Sequence, residues 1–443
     1  MPNNTIREIG KPVWAQPEPT EDPTIFRVKH PSDAPIYKEI DELNKEHKIH
    51  PLPFPVPRGG VEPSLTLEQV LGGNAEAVKK ITKEGQIVFH AGGDCGSTSG
   101  PATQNLVTDK LVSDFQEHIE KELPRFCLLL GDIVYSFGEK EYYFDQFYEP
   151  YRNYAAPILA VAGNHDGMVS PEAHVASLEA YLRNFCAEQF VITPEAGGLS
   201  RIAQIQPGVF FTFEAPFVRV LAIYSNTLED PGVIADENIG DSQLKYLQAA
   251  LTRVKKEGYK GAVIIANHHP PYAGSGSGTA GRHGGSPKML AQIDEICNKV
   301  GVWPHAFLSG HAHNYQRFTR TRSSDGTEIP YIICGNMGHN AQRLTRGNTP
   351  PPRVPQIIQK AQGKTDQVSF ERYDADNGHF GYLRIVVNES QLRIEYHPAS
   401  DGAHAKTPDD SVTIDLKTRK RTQFKPNDHG WSERAQRWRK VRR

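Results

Sequence analysis

What this 443-residue chain lacks narrows its nature first. No apolar run approaches the ~20 residues needed to span a bilayer, so no membrane association is expected. The opening residues, Met1-Pro2-Asn3-Asn4-Thr5-Ile6-Arg7, show none of the apolar stretch of a secretory signal. A cytoplasmic location is therefore the default expectation, with a secreted or periplasmic one open to a chain whose start has been processed. Net charge is nearly absent, formally −2, which argues against a globally basic nucleic-acid binder. Cysteines are few and odd in number: five, at 95, 127, 186, 297 and 334. Scattered in this way they suit buried free thiols better than a disulfide framework. No internal repeat is present.

What remains is the composition of a globular protein with a full core: 38% hydrophobic, 23% charged and 9% aromatic. The length allows one large domain with appendages. Residues 1–82 are rich in proline, with Pro51-Leu52-Pro53-Phe54-Pro55-Val56-Pro57 the extreme case, and read as an extended arm packed on the body. Residues 83–400 read as the main domain. Residues 401–443 read as a basic tail with solvated charges. Oligomeric state leaves no signature in the chain.

From about residue 83 a β–α rhythm begins. Gln86–His90, Phe126–Leu130, Pro157–Ala162, Gly261–Ala266 and Pro304–Leu308 read as buried strands, and Leu106–Leu123 and Tyr142–Tyr154 as helices. A further helix follows Asp241, a candidate N-cap. Val209–Glu214 with Val218–Tyr224, and Gly381–Val387 with Gln391–His397, read as strand pairs. Mixed β–α and β–β connections predict an α/β fold, a four-layer sandwich of two packed mixed β-sheets flanked by helices.

Five short polar segments follow such strands: Asp94-Cys95-Gly96, Gly131-Asp132-Ile133-Val134-Tyr135, Gly163-Asn164-His165-Asp166, Asn267-His268 and Gly310-His311-Ala312-His313. Asp, Asn, His and Tyr are the donors that two adjacent hard-to-borderline cations need. Two metals ~3.5 Å apart need an anionic oxygen between them, and Asp132 is the candidate bridge. Asp94 supplies a terminal carboxylate, Asn164 an amide oxygen, and His268, His311 and His313 imidazole nitrogens. Cys95 is expected to face the core.

These segments resemble the calcineurin-like metallophosphoesterase superfamily, and specifically its purple acid phosphatase branch. Most of that superfamily carries Asp-x-His in the first motif, where this chain has Asp94-Cys95-Gly96. Tyr135, three residues after Asp132, matches the Gly-Asp-x-x-Tyr of the purple enzymes, and a phenolate is a hard donor suited to Fe(III). Gly335-Asn336-Met337-Gly338-His339 also resembles a superfamily segment. The resemblance implies a ferric site of Asp94, Asp132, Tyr135 and His313. It implies a divalent site (Fe, Zn or Mn) of Asp132, Asn164, His268 and His311, with His269 a neighbour.

The implied activity is hydrolysis of phosphate monoesters on phosphorylated small molecules, a lowered water pKa supplying the attacking hydroxide. A phosphodiesterase acting on cyclic nucleotides or phospholipid head groups is the alternative, and a non-catalytic scaffold a third. His165 is expected over the substrate as the proton donor, with Asp166 orienting it. Family members place histidines near the phosphate in the loop that corresponds to Gly274–Gly285. Arg282 and His283 are thus expected substrate contacts, although this loop's length and glycine content differ.

Overall fold

The computed structural model describes residues 55–423, apart from 99, 117–118, 170–174, 227–230, 238, 275–282, 343–355, 362–365, 374–378 and 400–406. Of residues 1–54 it describes only the backbone of a two-residue strand, Arg7–Glu8, and for the strand Gln356–Ala361 likewise only the backbone.

The central strands are apolar on both faces: Pro124–Leu130 reads PRFCLLL, Ile158–Val161 ILAV and Ala262–Asn267 AVIIAN. Such a strand must be covered on both sides, the setting of parallel strands held between layers. Gln86–Gly92, Pro124–Leu130 and Ile158–Val161 accordingly run parallel within a six-stranded sheet. Val218–Ala222, Ala262–Asn267, Ala306–Ser309 and Glu328–Cys334 run parallel within a nine-stranded one. Antiparallel strands extend both: the hairpin Gly381–Asn388 with Gln391–Pro398 on the first, Tyr315–Thr321 on the second. The fold is thus mixed α/β with two packed mixed sheets flanked by helices, as the connections predict.

Alternation along each strand divides the core. Phe126, Leu128 and Leu130 meet Phe89, Phe213 and Ile264 between the sheets, with Phe89 stacked on Phe126 at 4.5 Å. Cys127 and Leu129 face the other way, toward Phe147, Tyr151 and Tyr181. Helices Ser242–Glu257 and Pro287–Val300 lie side by side, and their Leu247, Leu251 and Ile293 share a cluster with Leu221 and Val263. All five cysteines are buried free thiols.

Local structure departs from the sequence reading at several places. The helix expected over Leu106–Leu123 is Ala102–Ser113, followed by short 3-10 turns. Asp114 turns to His90 and Tyr382, and Glu122 to Arg384, so buried polar anchors replace the helical continuation. Tyr142–Tyr154 is likewise no regular helix but a 3-10 turn and the π-turn Phe144–Tyr148. Asp241 flanks its helix without a capping hydrogen bond and pairs with Lys245 at 2.8 Å instead.

The division expected at 82 falls inside the helix Ala75–Glu84, and the one expected at 400 lies outside the described residues. Ser64–Thr66 pairs with Phe211–Ala215 at the edge of the nine-stranded sheet, and Leu67–Val70 and Ala75–Glu84 are helices. The prolines end at Pro63, and Thr66 with Gln69 then forms a capping box, so helix replaces the extended arm. Asp410–Asp415 pairs with Gln391–Pro398 as the edge strand of the six-stranded sheet. The basic residues beyond 423 and the arm before 55 lie outside the described residues, the backbone of Arg7–Glu8 excepted.

One buried charge network ties two inner strands of the six-stranded sheet to the turn at Glu122. Arg384, 1% exposed, bonds Glu122 at 2.5 Å and Glu395 at 3.4 Å, and Glu395 also takes Arg393 and His397. Removing the cation takes the charge partner from Glu122, which keeps an amide donor in Gln86, and weakens the set around Glu395. Arg384→Met should lower unfolding free energy by about 3–5 kcal/mol in denaturant titration; a loss below 1 kcal/mol would contradict this account.

Candidate metal centre

Each of the five polar segments leaves the carboxyl end of a parallel strand, so the loops of both sheets converge at one end of the sandwich. Three of the loop residues adopt left-handed backbone: Asp94 (φ 56°), Asp132 (φ 53°) and His311 (φ 67°). That conformation costs roughly 1–2 kcal/mol for a residue with a Cβ. Neighbouring loops lock it: Asp94 N donates to Gly131 O at 2.9 Å, Cys95 N to Asp132 O at 3.1 Å, and His311 N to Asp94 Oδ2 at 2.8 Å. Glycines admit the carboxylates. A Cβ on Gly310 would stand 2.8 Å from Asp94 Oδ2, and one on Gly163 would strike Asp132 Oδ1.

Two donor sets result. In the first, ligand atoms of Asp132, His268 and His311 lie within 4.8 Å of one another, all buried. Asp132 Oδ2 and His268 Nε2 are 3.2 Å apart, yet neither buried atom makes a hydrogen bond. His268 Nδ1–H donates to Leu130 O at 2.7 Å, which aims Nε2 at the carboxylate. Asn164, fully buried, stands beside this set, since the next amide, His165 N, donates to Asp132 Oδ1 at 3.0 Å. In the second set, Tyr135 OH donates to Asp94 Oδ1 at 2.9 Å, and His313 Nε2 lies 3.3 Å from both of those oxygens. Buried ligand atoms brought face to face, ringed by imidazole, carboxylate and phenol, fit hard-to-borderline cations.

Electrostatics agree with that fit. Burial alone would raise the Asp132 carboxyl, but the charges of His268 and His165 hold it below the usual range. Burial would lower His268, and Asp132 instead pushes it up to about 9. Burial, then the charges of Asp132 and Asp94, hold the Tyr135 phenol well above its ordinary value. Burial and neighbouring histidines keep His311 and His283 well below theirs, leaving neutral rings with lone pairs.

The structure thus brings together Asp94, Asp132, Tyr135, Asn164, His165, His268, His311 and His313. His283 joins them: its ring centroid lies 4.6 Å from that of His311 and 4.8 Å from that of His313. Arg282 lies outside the described residues. His269 bonds Ser225 Oγ at 2.8 Å and packs 4.2 Å from the His311 ring, the neighbour it was expected to be. Asp166 differs from expectation. Its Oδ1 accepts from Ile133 N and Val134 N and its Oδ2 from Gly163 N, so it braces two ligand loops. His165 is oriented by the Ser136 carbonyl, 2.8 Å from Nδ1.

Two contributors escaped the sequence reading. Gln146, in the π-turn, accepts from Ser97 N and Tyr135 N and donates to Tyr135 O. His339 stacks on Tyr135 with centroids 3.6 Å apart and planes 9° apart. Its position in the Gly335–His339 segment was the one available signal.

A model of the calcineurin-like phosphoesterase family matches residues 93–315, half of the chain and a span holding all seven expected ligands. "Probable inactive purple acid phosphatase 9" of Arabidopsis thaliana is 22% identical over 321 residues, 68% of this chain and 45% of its own length. The chain thus spans under half of that curated relative. Among solved structures, purple acid phosphatase PPD1 of yellow lupin (Lupinus luteus) is 17% identical with a TM-score of 0.48, covering 74% of this chain and 54% of that one. GAP50, the anchor in the inner membrane complex of Plasmodium, is 14% identical with a TM-score of 0.46, covering 74% and 89%.

Because Asp132 holds a proton on His268 up to about pH 9, a cation must displace that proton. Zn(II) affinity of the metal-free protein should therefore rise with pH through neutrality and level off near pH 9. Calorimetry in buffers of different ionisation enthalpy should show proton release at pH 7, and its absence would refute the pairing.

Proposed function

The chain belongs to the calcineurin-like phosphoesterase family, and from that footing we propose that it hydrolyses phosphate monoesters of small molecules at a two-metal centre of the purple acid phosphatase kind. The observation that carries this reading is the meeting of two donor sets across Asp132. The His268–His311 pair lies on one side, and on the other the Tyr135 phenol, close enough for the Asp132 charge to act on it. The phenol marks a trivalent ion. In surroundings that hold a phenol protonated, a cation of high charge is what stabilises phenolate, so we assign Fe(III) to Asp94, Asp132, Tyr135 and His313. Asp132, Asn164, His268 and His311 would hold Fe(II), Zn(II) or Mn(II).

When bound, such a pair of cations polarises the phosphate and makes an attacking water more acidic. The residues of the chain provide the rest. His165 Nδ1–H donates to the Ser136 carbonyl, so Nε2 is the nitrogen left to the substrate, and in the imidazolium form it hands its proton to the departing alkoxide and leaves the ring neutral. Nε2 stands 3.9 Å from Asp132 Oδ2, which places the proton at the edge of the centre. His283, between His311 and His313, would steady the phosphate oxygens, with Arg282 adjoining it in sequence. Asp166 keeps the Asp132 and Asn164 loops in register.

Asp132→Asn should cut phosphomonoesterase turnover by more than about a hundredfold, beyond the loss typical of a metal's outer partners. Metal analysis with a visible spectrum should show iron and a tyrosinate charge-transfer band that disappears in Tyr135→Phe. A colourless iron-free protein with full activity would remove the ferric assignment. His283→Ala should retain metal content and lose turnover, and unchanged kinetics would take His283 out of the site.

A further inference from the structure

A second cleft opens at the opposite end of the nine-stranded sheet. It has a volume of about 750 Å³ and lies beside Val263 and His305, at the amino ends of strands Ala262–Asn267 and Ala306–Ser309. The metal donors follow the carboxyl ends of the same strands. At ~3.3 Å per residue, a six-residue strand separates the two places by about 15–20 Å. The cleft is therefore not part of the metal centre.

Its charges do not balance. Five cations line it, Lys255, Lys260, Arg322, Lys417 and Arg419, against the acids Asp325, Glu389 and Asp415. Several of these are already engaged. Lys255 donates to Val300 O, at the end of a helix, and Arg322 pairs with Asp325 at 2.5 Å while lying over Trp303. Asp415 accepts from Lys417 N, Thr418 N and Thr418 Oγ1.

Arg419 stands apart. It is largely withdrawn from solvent, Nη2 bonds only the Pro304 carbonyl, and Nε is buried with no hydrogen bond. Among the described residues no carboxylate is in ion-pair contact with it. Burial lowers it to about 10, with Asp325 opposing and the charge of Arg322 adding to the fall. A guanidinium drawn out of water with no carboxylate in contact, the nearby Asp325 being paired to Arg322, is costly, and an anion entering the cleft relieves that cost.

We propose that this cleft is a second ligand site, for a small organic phosphate, with Arg419 as its anchor and Lys260 and Lys417 at its rim. A phosphate monoester carries about −1.5 to −2 charge at neutral pH, which matches an excess of two cations. The volume exceeds what bare phosphate needs, and Val254, Val302 and Leu416 give the organic portion an apolar wall. The site is independent of the metal chemistry proposed above.

Phenylphosphonate, which has no ester bond to cleave, is the probe, titrated calorimetrically into the metal-loaded full chain. The expected result is two binding events. Asp132→Asn abolishes one, while Arg419→Met weakens the other by about ten- to a hundredfold, as loss of a charged hydrogen bond does. Should Arg419→Met fail to fold, Lys260→Gln with Lys417→Gln, both exposed, serves in its place and should weaken the same event while leaving turnover unchanged. A single event lost with Asp132→Asn, or a second event indifferent to all three cations, overturns the proposal.

Discussion

A carboxylate buried with an oxygen that no hydrogen bond satisfies is the constraint around which this protein is built. Asp132 is fully enclosed, and its Oδ2 faces His268 Nε2 without bonding it. Left so, the group would oppose folding by several kcal/mol. The chain bears this by surrounding the carboxylate with opposing charge and by tying its backbone to loops from both sheets. Four site residues, Asp94, Asp132, His283 and His311, sit at positive φ, and a Cβ at 131 or 163 would collide with His268 or Asp132. Local strain, missing side chains and an unsatisfied oxygen coincide at one place, and together they are what a cation would repay.

The architecture was legible because the strands are apolar on both faces and each ends abruptly in Gly, Asp, Asn or His. Pro124–Leu130 followed by Gly131-Asp132 needs no partner to be read as a buried strand that delivers a donor. The ligand set was legible for the same reason, since a strand end fixes where the next residues stand. Partnerships across loops were not. Asp166, a carboxylate beside a ligand, reads as catalytic until three backbone amides are seen converging on it. His339 lies 204 positions from Tyr135, and no periodicity links the two (339 − 135). Gln146 was hidden in a stretch whose aromatic spacing suggests a helix, whereas the π-turn aims its amide at Tyr135.

The family match covers the span from Asp94 to His313, so membership and candidate site rest on the same residues. The name of the Arabidopsis relative sets a useful contrast, since it describes a probably inactive protein of more than twice the matched length. Activity in this chain has to be judged from its own donors. The decisive feature is that the donors are mutually arranged as well as present. The Leu130 carbonyl selects the tautomer of His268, and the Ser136 carbonyl does so for His165. Such outer bonds have a use only where particular ring nitrogens must face a common point.

Topology also accounts for how charge is divided between the two ends of the nine-stranded sheet. Helices Ser242–Glu257 and Pro287–Val300 each return from the carboxyl end of one parallel strand to the amino end of the next. Their amino termini, partially positive, belong to the end that carries the metal donors, where phosphate would sit. Their carboxyl termini, Gly258 and Gly301, open into the opposite cleft. Cations are wanted there to meet the last carbonyls, and Lys255 does so at Val300. That requirement explains Lys255 but not Arg419, which arrives from the far side on the turn after Asp410–Asp415 and answers neither helix. A fold that needed only to quench two helix ends had no reason to draw a further guanidinium into the cleft. The surplus charge is a property of the cleft itself.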